Sequence, residues 1–185
     1  IILMRNLLKI LIFSGFVSVL NTASADRVEV ALAVNLGDTH NANYCIDMPG
    51  GQENADPTRD LRVYTCYTYQ GFVGFDHAMD SEAIANGQFH MIGFDVCMQA
   101  QGFTAGSVIA ARDCDQGNSM QKFNLHADQT IRLEVTDNLC LSVGDEISYG
   151  RNGPGGHEIR DLTLEPCSED RASHQQWVLR DSVDG

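Results

Sequence analysis

The sequence has no run of basic residues. Its 12 Lys and Arg are scattered among 25 Asp and Glu, giving a formal net charge of −13 over 185 residues. A nucleic-acid binder needs clustered cations to displace counterions from phosphates, so no nucleic-acid partner is expected. At 43% hydrophobic and 20% charged, the chain has neither the composition of a disordered protein nor that of collagen. It has no G-x-S-x-G elbow and no P-loop, and no catalytic residue or cofactor is assigned. C-x-x-C and H-E-x-x-H are also absent, so no metal is expected from spacing. The six histidines (His40, His77, His90, His126, His157, His174) show no ligand spacing. Asp113 to Asn118 has the acids of a calcium loop but lacks the glycine and the terminal glutamate at the required positions. After residue 25 no apolar stretch approaches the roughly 20 residues that a membrane helix needs.

The opening segment is apolar and differs from everything after it. Arg5 and Lys9 precede an apolar stretch from Leu7 to Leu20, and Ala23-Ser24-Ala25 is an A-x-A cleavage signature. Residues 1–25 therefore read as a secretory signal peptide, and residues 26–185 as the folded domain. Arg5 and Lys9 are the basic residues removed with it. The remainder carries 10 basic against 25 acidic residues, a formal charge of −15. The product is expected to be secreted or periplasmic, with no membrane span in the mature chain.

Six cysteines follow the signal: Cys45, Cys66, Cys97, Cys114, Cys140 and Cys167. An even count in an exported chain favours disulfides, and six cysteines allow fifteen connectivities. The separations of 21, 17 and 27 residues suggest three sequential pairs. Bridges closing loops of this size would each stabilise the fold by about 3 kcal/mol in the chain-entropy model.

Each pair sits in a similar context. The first cysteine opens a strand (Tyr44-Cys45-Ile46, Val96-Cys97-Met98, Leu139-Cys140-Leu141), and the second closes another. Gln121-Lys122-Phe123 and Gln175-Gln176-Trp177 then share a Q-x-aromatic pattern. In the first unit Gln70-Gly71-Phe72, or Phe75, is expected in that place. Short strands with Gly, Asn and Asp turns dominate. Asp80 to Ala85 reads as a helical insert, and Tyr149 to Gly156 as a loop insert. No unit could bury its apolar face alone, so three units should close on one core.

These features, with Cys45-Ile46-Asp47-Met48-Pro49-Gly50-Gly51 and the Q-x-W of Gln175-Gln176-Trp177, resemble the ricin B-type lectin family over residues 40–185. The resemblance implies an all-β β-trefoil of three Cys-bridged repeats: twelve strands, a six-stranded barrel and a hairpin cap. The strand expected after Gly185 is missing, so either the chain is cut short or Val28 to Val34 supplies it. Phe123 and Trp177 are expected to be packing residues that mark the fold.

The resemblance also implies what a sugar site in a unit requires. It would need an acid two residues after the first cysteine, an aromatic platform near the second, and a polar residue before the Q-x-W. The first unit supplies Asp47 and Tyr64, whereas the second has Gln99 and Arg112 and the third Ser142 and Glu165. One site is expected, with Asp47 as hydroxyl acceptor, Tyr64 as stacking face, and Arg62 as an added donor on the same strand face. Tyr69, Asp76 and His77 are the candidates for the third pocket residue. Two other readings stay open: Asp47 as a cap for the Pro49-Gly50-Gly51 turn, and Tyr64 as a half-buried strand residue.

The function implied is a secreted, non-enzymatic lectin for glycans or glycoconjugates, galactose-type sugars included. One alternative is a protein-binding trefoil such as a protease inhibitor, acting through Tyr149 to Gly156. Another is the glycan-binding subunit of a larger exported assembly, completed by a partner subunit.

Overall fold

A computed structural model describes residues 26–38 and 40–181. The assigned signal peptide lies outside the described residues. Thirteen short strands dominate: β1 (Arg27–Leu32), β2 (Tyr44–Asp47), β3 (Arg62–Thr65), β4 (Met79–Asp80), β5 (His90–Met91), β6 (Val96–Ala100) and β7 (Ser107–Asp113), then β8 (Phe123–Leu125), β9 (Ile131–Leu133), β10 (Thr136–Val143), β11 (Ser148–Tyr149), β12 (Glu158–Pro166) and β13 (Trp177–Arg180). Among the described residues there are two α-helices, both single turns: α1 (Ser81–Ala85) and α2 (Ala172–Gln175). Among the described residues no helix is long and apolar enough to cross a membrane.

The pairing is threefold. In each unit the strand carrying the first cysteine pairs antiparallel with the strand leading to the second: β2 with β3, β6 with β7, and β10 with β12. The register matches as well, since Cys45 lies opposite Tyr64, Cys97 opposite Arg112 and Cys140 opposite Glu165. Units join edge to edge through β5–β6, β9–β10 and β1–β2. Strand β12 pairs with β3 and with β7, and Asp60 bridges Ala110, so the second strands of all three units meet. This is a β-trefoil.

Each unit also has a second antiparallel strand pair that opens on a large core residue. Phe123 lies opposite Leu133, and Trp177 opposite Leu32. In the first unit the pair is Met79 and Met91. All six residues are fully or almost fully buried. This corrects the expectation for the first unit: Met79, not Phe72 or Phe75, occupies the aromatic position. Phe72 is largely exposed, and Phe75 packs edge-on against Phe94. An unbranched thioether fills the irregular space that an aromatic fills elsewhere.

The missing twelfth strand is β1. It pairs over four residues with β13, from Glu29 opposite Arg180 to Leu32 opposite Trp177. Val28, Val30 and Leu32 face the common core, while Ala31 packs on the Cys45–Cys66 bridge. The barrel therefore closes through strand β1.

All six cysteines are paired sequentially: Cys45–Cys66, Cys97–Cys114 and Cys140–Cys167. The helical insert appears as α1, whose amino end is capped by Asp80 accepting from the Glu82 and Ala83 amides. The Gln of each Q-x-aromatic ties down backbone. Gln121 accepts from the Asp115 amide and donates to the Asp113 carbonyl, and Gln175 does the same with Ser168 and Pro166.

Candidate functional site

The β2–β3 hairpin of the first unit forms the floor of a cleft of about 1020 Å³. Asp47 at the end of β2 lies opposite Arg62 at the start of β3. By period two, Tyr64 falls on the same face as Arg62. One wall is the loop from Gly50 to Asn54 together with Arg59, and the other is Tyr149, Gly150 and Arg151. Asp47, Arg62 and Tyr64 thus come together in one cleft. Tyr149, Gly150 and Arg151, at the start of the Tyr149–Gly156 insert, line the same cleft.

Asp47 is almost wholly buried and both its oxygens are engaged. Oδ2 accepts from Arg62 Nε at 2.6 Å, and Oδ1 lies 3.1 Å from His77 Nε2. It does not cap the adjacent turn. That task falls to Asp76, whose Oδ2 accepts from the Gln52 amide at 2.7 Å. The Arg62 guanidinium, paired with Asp47 through Nε, also sits 5.3 Å from the Tyr64 ring centroid. Tyr64 is half-buried. Its ring lies edge-on to His157 at 5.1 Å and tilted to Tyr67 at 6.0 Å, which gives the cleft an aromatic wall. Gly150 allows this wall to close up, because a Cβ there would come within 3.1 Å of the Tyr64 hydroxyl.

Behind Asp47 runs a buried chain of charges. His77 stands two residues before Met79, the place that Gln121 and Gln175 hold in the other units. Its Nδ1 lies 3.3 Å from Glu29 Oε1, on β1. Glu29 also accepts from the backbone amides of Tyr67, Thr68 and Gly74. Burial opposes a charge on His77, but the hydrogen bonds to Asp47 and Glu29 outweigh it and push its pKa up to about 9. Burial would raise Glu29, and its bonds to His77 and the backbone hold it below the usual carboxylate range. Asp76 is pushed up by burial and by the nearby Asp47 charge, against the lowering effect of His77. Burial likewise raises the Tyr64 phenol.

Asp76 and His77, both open candidates for the third pocket position, lie at this site, whereas Tyr69 sits farther out and bonds His157 at 3.2 Å. Glu29 was not legible as a site residue. Its signal was a lone acid in the otherwise apolar strand Val28-Glu29-Val30-Ala31-Leu32. No other unit has an equivalent floor. The residues opposite the first cysteines there are Arg112 and Glu165, and the acceptor positions are Gln99 and Ser142.

The family described as "Ricin-type beta-trefoil lectin domain" matches residues 85–184. The match spans the second and third units and leaves out Asp47 to Met79, where His77 and Met79 replace the Q-x-W. No curated protein matches the chain. The mdaA-1 domain, solved in solution, aligns with a TM-score of 0.58 at 12% identity, covering 84% of this chain and 90% of that one. The agglutinin from Abrus precatorius aligns with a TM-score of 0.54 at 14% identity. It covers 86% of this chain and 48% of that one. The β-trefoil lectin of Vibrio vulnificus hemolysin/cytolysin, solved with N-acetyl-D-lactosamine bound, aligns with a TM-score of 0.52 at 13% identity. That alignment covers 86% of this chain and 97% of that one. At these identities the likeness shows a shared fold.

Proposed function

The chain belongs to the ricin-type β-trefoil lectin domain family, and from that premise we propose that it is a non-enzymatic, exported carbohydrate-binding protein with one sugar site, in the first unit. Asp47 is the hydroxyl acceptor, Tyr64 the stacking face, and Arg62 orients Asp47 while offering its remaining donors to the ligand. The observation that carries this reading is the asymmetry between units. Only the β2–β3 floor combines a carboxylate with an aromatic ring, in a register that the other two units repeat with Gln99 and Arg112 or Ser142 and Glu165.

A sugar presents hydroxyls at its edge and C–H groups on its face. A carboxylate held by two cationic neighbours keeps lone pairs for hydroxyls, and a tyrosine ring covers the C–H face. Galactose-type glycans are within this class. A single open cleft binds weakly, and useful strength comes from multivalent display. Three disulfides support export to an oxidising compartment, the periplasm or beyond.

The test is a glycan array on the chain from Asp26 onward, with Tyr64→Ala and Asp47→Asn alongside. Tyr64→Ala should weaken the best ligand at least about tenfold, equivalent to about 1.4 kcal/mol. Unchanged binding by both variants would place the site elsewhere.

A further inference from the structure

The geometry points to a divalent-cation site formed by Asp47, Asp76 and His77 at the base of the cleft, with its open positions facing the sugar. One ligand atom from each of these residues lies within 4.8 Å of the others, and all three residues are buried. Asp47 and His77 already stand 3.1 Å apart. Two ligands of a tetrahedral ion at ordinary bond lengths are separated by about 3.4 Å, so small side-chain shifts admit the ion.

An independent feature marks the place. Asp76 is 1% exposed, its Oδ2 is held by the Gln52 amide, and its Oδ1 has no hydrogen-bond partner. A buried carboxylate oxygen without a partner is costly, and a cation relieves that cost. The outer groups are also arranged as a metal site needs them. Glu29 fixes the His77 ring through Nδ1, leaving Nε2 for the ion, and Arg62 holds the other oxygen of Asp47.

The pseudo-threefold symmetry provides an internal comparison. Where the first unit has Asp47, Asp76 and His77, the second has Gln99, Met120 and Gln121, and the third has Ser142, His174 and Gln175. Gln121 simply donates to Gln99 at 3.1 Å. Only the first unit has metal-ligating groups at all three positions. One imidazole and two carboxylates, without sulfur, suit Zn²⁺ or Mn²⁺ better than Ca²⁺, which takes six to eight oxygens. Sequence spacing gave no sign of this site because Asp47 and His77 are 30 residues apart and meet only through β2 and the lead-in to β4. On binding, the ion takes the place of the proton at His77 Nε2, which leaves to solvent. Asp47 and Asp76 line the cleft and His77 lies behind them. The cation's free positions therefore face the cleft, where a pair of sugar hydroxyls would complete the coordination. That last step rests on the sugar reading, and the cation site itself does not.

The experiment is calorimetric titration of chelator-treated protein with Zn²⁺, Mn²⁺ and Ca²⁺ in turn, followed by the glycan array with and without the bound ion. The expected result is one Zn²⁺ or Mn²⁺ per chain, weaker Ca²⁺ binding, and at least a tenfold loss in Asp76→Asn. His77→Gln restores the residue of the other two units and should also lose the ion, with a lowered melting temperature because Glu29 and Asp47 lose their buried partner; Asp76→Asn decides the question if that variant unfolds. No stoichiometric binding, or binding that both variants leave unchanged, overturns the site. Glycan binding indifferent to chelator, with no ion bound, removes the cation and spares the sugar reading. Stoichiometric ion binding with no glycan on any array does the reverse.

Discussion

Replacing Leu32 by alanine asks whether β1 is the twelfth strand of the trefoil or an accessory laid against it. Leu32 is fully buried and lies opposite Trp177. Leu133 in β9 has the same place in the second unit, fully buried opposite Phe123. Truncating a buried leucine costs about 2–5 kcal/mol, from lost transfer energy plus the cavity left behind. In a domain of this size each kcal/mol lowers the melting temperature by about 2–4 °C, so Leu32→Ala should fall by about 4–20 °C. Leu133→Ala is the internal standard. If β1 completes the barrel, the two variants should agree within about 1 kcal/mol in urea unfolding, with equal slopes. A cost below about 1 kcal/mol for Leu32→Ala, beside a full cost for Leu133→Ala, would refute β1 as a structural strand. It would also detach Glu29, and with it the support of His77, from the barrel.

Further outcomes follow from the same contacts. Glu29→Gln keeps the shape but removes the charge facing His77 and turns an amide towards the Tyr67, Thr68 and Gly74 N–H groups. Breaking a buried pair this way should cost about 3–5 kcal/mol in chemical denaturation, and a loss under about 1 kcal/mol would contradict the buried-charge account. Tyr44 bonds Glu158 in the interior, and burial followed by that bond pushes its phenol up to about 12 from 10.0. The folded state favours the neutral phenol, so this stability is whole below pH 10 and is lost as pH climbs from 10 through about 12. A stability profile measured across that window should flatten in Tyr44→Phe. Gly74→Ala would put a Cβ 2.2 Å from the Tyr67 ring and drive it into the cleft. Glycan affinity should drop several-fold, and an unchanged affinity would show that Tyr67 does not shape the site. Reduction of all three bridges should lower stability by about 3 kcal/mol per loop, read as a shift in urea midpoint with added thiol.

Much of the architecture was legible before any coordinates. Apolar alternation, Gly and Asn turns and evenly placed cysteines are local signals, and each reports on a strand, a turn or a bridge within one unit. Gln121-Lys122-Phe123 and Gln175-Gln176-Trp177 were readable because side chain and backbone meet within a few residues. The first unit was harder. Counting Q-x-aromatic forward from Cys66 stops at Phe72, yet the chain bulges through Gly71 and Gly74 before Met79 enters the core.

The cleft shows the same division. Asp47 and Tyr64 were expected from the family resemblance and Arg62 from the strand period, and one hairpin holds all three, braced by the Cys45–Cys66 bridge. Composition and pattern thus determined a bridged threefold β domain with one unusual unit. Only the tertiary structure decided that β1 closes the barrel, and that Glu29 and His77 stand behind Asp47. Those contacts join residues 30 and 48 positions apart. They depend on which strand edges remain unpaired once three units close, and pairing between distant edges leaves no periodic trace in the chain.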